Sequence, residues 1–372
     1  NDGHRNIAIG ADAMGAVNSG TNNSSEVDDN IAIGNDALLG ASFGSSPKLL
    51  VGNIAIGSQA LDATDSNEQT GTIAIGQNAL TALTTGLQNT AVGYLSLQTV
   101  VGGGKNTAFG YKAAQLIATG GDNTVIGSEA FQAADGAESR NTIIGKDAGY
   151  GITDDAANDN VAIGDNALVG GSAAISKNVA IGRQSMACGN TASQDSVFIG
   201  YASGSGSWGG ASVGNTAVGY SAMGTGAKND GNYNTALGHH SLYANTTGAD
   251  NVAVGKSALY ACTTGSDNVA IGYEALQANT TGLENTTLGY KAGYTITTGN
   301  DNVCIGNKAG QDQINTANNN LFIARSNGAL GTAGTWIYGS GTGACTQGDN
   351  TTAWTTTSDR RLKKNIVDST KG

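Results

Sequence analysis

A five-residue segment, Asn6-Ile-Ala-Ile-Gly10, returns along almost the whole chain. It recurs unchanged as Asn30 to Gly34 and Asn53 to Gly57. With small changes it ends again at Gly76, Gly93, Gly110 and onward to Gly306, giving 17 copies. A degenerate copy, Asn320-Leu-Phe-Ile-Ala324, makes an eighteenth. After Gly57 the copies lie 17 to 19 residues apart. Helical solenoid repeats usually run about 30 residues or more and would not tolerate glycine at this density. A coil of two short strands and two turns fits the period. The repeat therefore predicts an all-β chain, a parallel β-solenoid or β-roll of about 18 coils over residues 1–324. At ~4.8 Å per coil it forms a rod on the order of 80 Å long.

Within each copy the second and fourth residues are β-branched or large, as in Ile7 and Ile9, Thr90 and Val92, or Val269 and Ile271, and the third is usually Ala. Period-two alternation puts the large pair on one face and Ala on the other. The expectation is that the large pair fills the coil interior and that the Ala face lies flat outside, where another chain approaches closely. The closing glycine supplies a turn or a close backbone contact. After it come two variable residues, then Ala or Ser, then usually Leu, Met, Phe or Gly, as in Ala60-Leu61 and Ala258-Leu259. Polar turns such as Asn245-Thr-Thr-Gly248 absorb differences in length.

The leading residue is Asn in 15 of the 17 copies, with Thr72 and Ser196 in the others. Amides stacked one strand spacing apart form a hydrogen-bonded ladder. Asn89, Asn106, Asn123, Asn251, Asn268, Asn285 and Asn302 are its expected rungs, with a structural role. One thin coil buries too little apolar surface alone, so stacking and self-association, as an intertwined or side-by-side homotrimer, are expected.

Composition closes several alternatives. The formal net charge is −11, which argues against nucleic acid, since phosphate binding needs a Lys/Arg surface. No apolar run approaches the ~20 residues of a membrane span, so membrane insertion is not expected. The sequence does not begin with Met, and no signal-peptide pattern is visible in it. It is read as a fragment or processed product lacking an N-terminal attachment region. Cys188, Cys262, Cys304 and Cys345 have no metal-ligand spacing. They are expected as free thiols, which fits assembly in a reducing cytoplasm. Cys304 replaces the Ala of its repeat and is expected to be buried.

Other candidates for chemistry are few. Asp28-Asp29 and Asp154-Asp155 offer carboxylate pairs of the kind glycoside hydrolysis needs, but they fall in variable segments and are expected as solvated turns. His239 and His240 lie on one coil, where three chains would present a ring of histidines to a metal. No further ligand stands at suitable spacing, so neither metal nor cofactor is expected. Tyr94, Tyr111, Tyr201, Tyr220, Tyr273 and Tyr290 each follow a repeat glycine. They are expected to stack, with a carbohydrate-binding stripe as the alternative. Residues 325–358 leave the repeat. Their Trp336, Tyr338 and Trp354 suit either a cap over the last coil or receptor contacts at a distal tip.

The Asn-x-Ala-Ile-Gly-x-x-Ala/Ser pattern, from about Asn6 to Ala324, resembles the head repeat of trimeric autotransporter adhesins. That head is a left-handed parallel β-roll with three chains side by side, and similar repeats occur in bacteriophage tail fibres. Thr357-Ser-Asp-Arg-Arg-Leu-Lys-Lys-Asn-Ile366 resembles the opening of the endosialidase-type intramolecular chaperone, which ends many phage tail fibres and tailspikes. That resemblance implies cleavage between Ser358 and Asp359, with Ser358 as nucleophile and Lys363 as its general base. Residues 359–372 are then the start of a truncated chaperone, so cleavage belongs to a full-length precursor and is maturation, not turnover; otherwise no enzyme is implied. The two likenesses together imply the shaft and tip of a virion tail fibre. It would be an extracellular homotrimer, assembled in the host cytoplasm. It would be joined to other virion proteins through an N-terminal region and attached to a host-surface glycan or protein receptor. A bacterial trimeric surface adhesin is the runner-up, followed by a polysaccharide-degrading tailspike.

Overall fold

A computed structural model describes residues 3–15, 25–40, 48–64, 67–171, 174–187, 192–206, 210–224, 231–312 and 315–324, and the strands 335–339 and 345–347. These residues contain strands and turns and no helix. Eighteen parallel strands, from Ile7–Ile9 to Leu321–Ala324, follow one another in a single sheet, one per sequence repeat. Each pairs in register with the copy before and after it, so that Ile7, Ala8 and Ile9 face Ile31, Ala32 and Ile33, and Val252, Ala253 and Val254 face Val269, Ala270 and Ile271. The chain is a parallel β-solenoid.

Among the described residues, a second strand forms in six coils. Glu26–Asp28, Leu49–Val51 and Gln69–Thr70 make one short parallel sheet; Ile175–Ser176, Ser193–Gln194 and Ser212–Val213 make another. This corrects the expectation of two strands per coil. Most of the 17-residue coils turn through Thr-Thr-Gly instead, and still hand hydrogen bonds to the next coil, as from Thr263 N to Thr280 O (2.9 Å) and Thr280 N to Thr297 O (2.8 Å).

The strand faces are reversed from expectation. Ala32, Ala55, Ala74 and Ala91 are fully buried, whereas Ile9, Phe109, Leu237 and Leu288 are about half exposed. The reason lies across the coil, where the Leu of the second motif points into the same space. Leu38, Leu61, Leu80 and Leu97 are all fully buried. One Ala and one Leu fill the cross-section, and a second large pair has no room. In most coils where the strand residue grows, the opposing one shrinks to glycine, as in Ile143 with Gly149, Thr287 with Gly293 and Cys304 with Gly310, whereas Val125 keeps Phe131 opposite it.

The turn that carries this Leu is left-handed. Leu38, Leu61, Leu259 and Leu276 have φ between 50° and 53°. β-branched side chains are strongly disfavoured there, and none occupies this position in any copy from Met14 to Gly310. The repeat glycine answers a different constraint. A Cβ on Gly93, at φ +143°, would sit 2.2 Å from the carbonyl oxygen of Gly110 in the next coil. At the C-terminal end, Leu321–Ala324 pairs antiparallel with Thr335–Gly339, which pairs antiparallel with Cys345–Gln347. This hairpin covers the last edge of the parallel sheet, which would otherwise present unpaired backbone groups.

Candidate functional site

The leading asparagines form the ladder read from the repeat. Asn268 donates through its backbone N–H and its Nδ2 to Oδ1 of Asn251, at 3.1 Å each, and Nδ2 also reaches the Gly282 carbonyl at 2.9 Å. Its own Oδ1 accepts the same pair of bonds from Asn285. The pattern runs on from Asn285 to Asn302 and from Asn302 to Asn320. Upstream, Asn89, Asn106 and Asn123 are linked by N–H to Oδ1 bonds of 2.9 and 3.1 Å. Ser196 keeps the rail with one hydroxyl, which accepts from Asn215 N at 3.2 Å. All seven named rungs are buried. Buried amides with every partner inside the coil stack hold structure together and offer nothing to a ligand.

What the rod offers to other molecules lies on its outside. The fourth strand position is apolar in every one of the eighteen coils, from Ile9 through Phe109 and Leu237 to Ile323, and the second is β-branched or Leu throughout. Both rows point away from the coil interior. At ~80 Å by the ~10 Å of a three-residue strand, this face covers roughly 800 Å². The largest apolar patch on an ordinary monomer is about 300–600 Å².

The residue after the repeat glycine forms a second outer column. Tyr94 stacks on Tyr111 (5.6 Å, 11°), Tyr201 on Tyr220 (5.3 Å, 13°) and Tyr273 on Tyr290 (5.3 Å, 9°). The expected ladder is present, and its rings are parallel to one another. His239 continues the stack on Tyr220 at 5.0 Å. His240 lies tilted among Tyr220, Tyr243 and Tyr260. Burial, then the neighbouring His239 and Lys256, hold its imidazole below the usual histidine range.

The carboxylate pairs do not face one another as a hydrolase needs. Asp28 ends a short strand and accepts from His4 N, and Asp29 is bonded to Arg5. Asp154 accepts from Ala156 N within its own turn, and Asp155 from Ala137 N. Among the described residues, one acidic group comes within metal-ligand reach: Asp135, Glu138 and Asp155, with oxygens within 4.8 Å of one another. Sequence spacing missed it because two adjacent coils supply it. Glu138 accepts from the backbone N–H of Asp135 and Gly136 at 3.1 and 3.0 Å. Burial raises its carboxyl above the ordinary value, against the pull of those N–H groups.

Cys262 and Cys304 are buried free thiols, and burial pushes both up to about 12. Trp336 and Tyr338 fall on the strand Thr335–Gly339. Trp354, Ser358, Asp359 and Lys363 lie outside the described residues. Among the described residues there is no helix long and apolar enough to cross a membrane. Comparison with family descriptions finds no match for this chain, and neither does comparison with curated proteins.

Proposed function

We propose that the chain is the shaft of a homotrimeric virion fibre, a tail fibre whose work is reach and host attachment. The observation that carries this reading is the outward apolar face, which runs the length of the rod without a charged residue at either strand position. A face of roughly 800 Å² matches what each partner contributes to a stable interface. A long, flat, unpaired apolar surface is also one that soluble chains do not leave in water. The occupant proposed is two further copies of the same chain. Identical rows at identical axial spacing complement one another coil by coil, and a closed ring leaves no copy unpaired. The number three, the virion setting and maturation at Ser358 rest on the resemblances of the repeat and of Thr357 to Ile366. The acidic balance, −11, suits a particle that must not clump once its apolar faces are covered.

The test is light scattering on the purified chain and on Leu237→Glu/Leu288→Glu. Both residues are nearly half exposed, so the substitutions leave the coil interior intact. The original chain is expected at three times the mass of one chain, and the double variant as a folded monomer with an unchanged β-type circular dichroism spectrum. A monodisperse monomer of the original chain contradicts the proposal.

A further inference from the structure

From coil to coil, the position after the repeat glycine reads Tyr201, Tyr220, His239, Lys256, Tyr273 and Tyr290, six consecutive coils without a carboxylate. The four tyrosines are 38–49% exposed. Cations cap the tyrosines at both ends and between: Arg183 lies 5.8 Å from the Tyr201 ring centre, Lys256 5.6 Å from Tyr273, and Lys291 5.7 Å from Tyr290. Two carboxylates lie beside this column: Asp165, 3.8 Å from Arg183, and Glu274, which accepts from the Tyr273 hydroxyl and lies 3.0 Å from Lys291. With Arg183 and Lys291 paired, Lys256 gives this aromatic stripe, about 25 Å long at ~4.8 Å per coil, a small positive balance on a chain of net charge −11.

The way the rings stack decides what the stripe presents. An aromatic ring is negative on its faces and positive at its edge. Here the faces are covered, by neighbouring rings 5.0–5.3 Å away or by the capping cations. Solvent therefore meets positive ring edges, phenol hydroxyls that donate hydrogen bonds, and ammonium groups. All three favour an anion. The same geometry disfavours two other partners. A sugar that packs its C–H face on an aromatic ring, and a nucleobase that stacks on one, both need an open ring face.

We propose that this column is a binding track for an acidic polysaccharide lying along the rod, with its carboxylates taking hydrogen bonds from the Tyr201, Tyr220 and Tyr290 hydroxyls and charge from Lys256. The idea rests on the attachment role proposed above and places a receptor contact on the flank of the shaft. The probe is polygalacturonate, titrated by calorimetry into the full chain at low ionic strength, with dextran as the neutral polymer.

Polygalacturonate is expected to bind and dextran to give no heat. Lys256→Gln with Tyr201→Phe, Tyr220→Phe and Tyr290→Phe keeps every ring stack while removing hydroxyls and charge. It should weaken binding by at least about tenfold, as expected from losing even one charge-assisted bond. No binding to polygalacturonate, equal binding by the variant, or tighter binding to a single-stranded oligonucleotide or to anionic phosphatidylserine vesicles each overturns the proposal. The two readings fail separately. A trimer that ignores polygalacturonate removes the track and leaves the fibre, whereas a monomer that binds it through these residues removes the fibre and leaves the track.

Discussion

Phe198 occupies the space that Gly204 leaves vacant: a Cβ added to Gly204 would sit 2.2 Å from Phe198 Cδ1. In most other coils the same two positions hold Ala and a large residue, as in Ala180 with Met186 and Ala217 with Met223. Both arrangements fill one coil cross-section with one large side chain. The pair predicts a compensation. Phe198→Ala should cost about 3–5 kcal/mol, as expected for emptying a buried aromatic site. Gly204→Ala should cost about 1–3 kcal/mol from overpacking, with roughly a further 1 kcal/mol for a left-handed backbone. Phe198→Ala/Gly204→Leu rebuilds the common arrangement and should be more stable than either single variant. Denaturant unfolding of the four chains measures this, and additive losses would refute it.

The asparagine ladder makes a second prediction, at Asn268. Asn268→Asp removes the donors to Asn251 and Gly282 and leaves a buried carboxylate, which should cost about 3 kcal/mol or more. Asn268→Ser copies the natural Ser196 rung and should cost only about 1 kcal/mol. Thermal unfolding at neutral pH separates the two. Equal losses would mean that the amide does not carry the rail.

Glu138 supplies a pH dependence. Its folded-state carboxyl is raised by burial. Protonation is therefore easier in the folded chain. The associated stability is present below the ordinary carboxylate range and is lost as pH rises through the raised folded value. Glu138→Gln is blind to that titration. The melting temperature of the variant minus that of the original chain should rise between pH 4 and pH 7. A difference that stays flat or falls would contradict the burial.

The interior thiols give a chemical probe of packing. With Cys188 and Cys345 replaced by Ser, the remaining Cys262 and Cys304 are buried and their thiols are pushed up to about 12. They should react with a disulfide reagent at pH 8 only after denaturation. Prompt labelling of the folded chain would show that the coils open or never close.

Much of this architecture is legible in the residues, because each repeat states the same constraint again. The period of 17 to 19 residues, the leading Asn and the closing Gly correspond to one coil, one ladder rung and one close backbone approach. Which strand face turns inward was not legible from alternation, since a period of two marks two faces without saying which is buried. The deciding information sits six residues further on. Leu, Met, Phe, Gly or once Ala (Ala114), and never Val, Ile or Thr, follows the Ala or Ser of the second motif, and this is the signature of an inward-pointing left-handed turn. The acidic trio of Asp135, Glu138 and Asp155 was hidden for another reason: adjacent coils bring together residues that the chain separates by a full turn. The tyrosine ladder was readable because its position in the repeat is constant. That its ring faces are covered required the geometry.

The central claim is a stack of eighteen coils whose outward strand rows are covered by identical neighbours. Electron cryomicroscopy of the intact chain tests it most directly. The account predicts a straight shaft on the order of 80 Å long with ~4.8 Å axial repeat. Three parallel solenoids should surround one axis, with the rows of Leu237, Ile271 and Leu288 turned towards it. Single solenoids with those rows in solvent, or an assembly joined through another face, would contradict it.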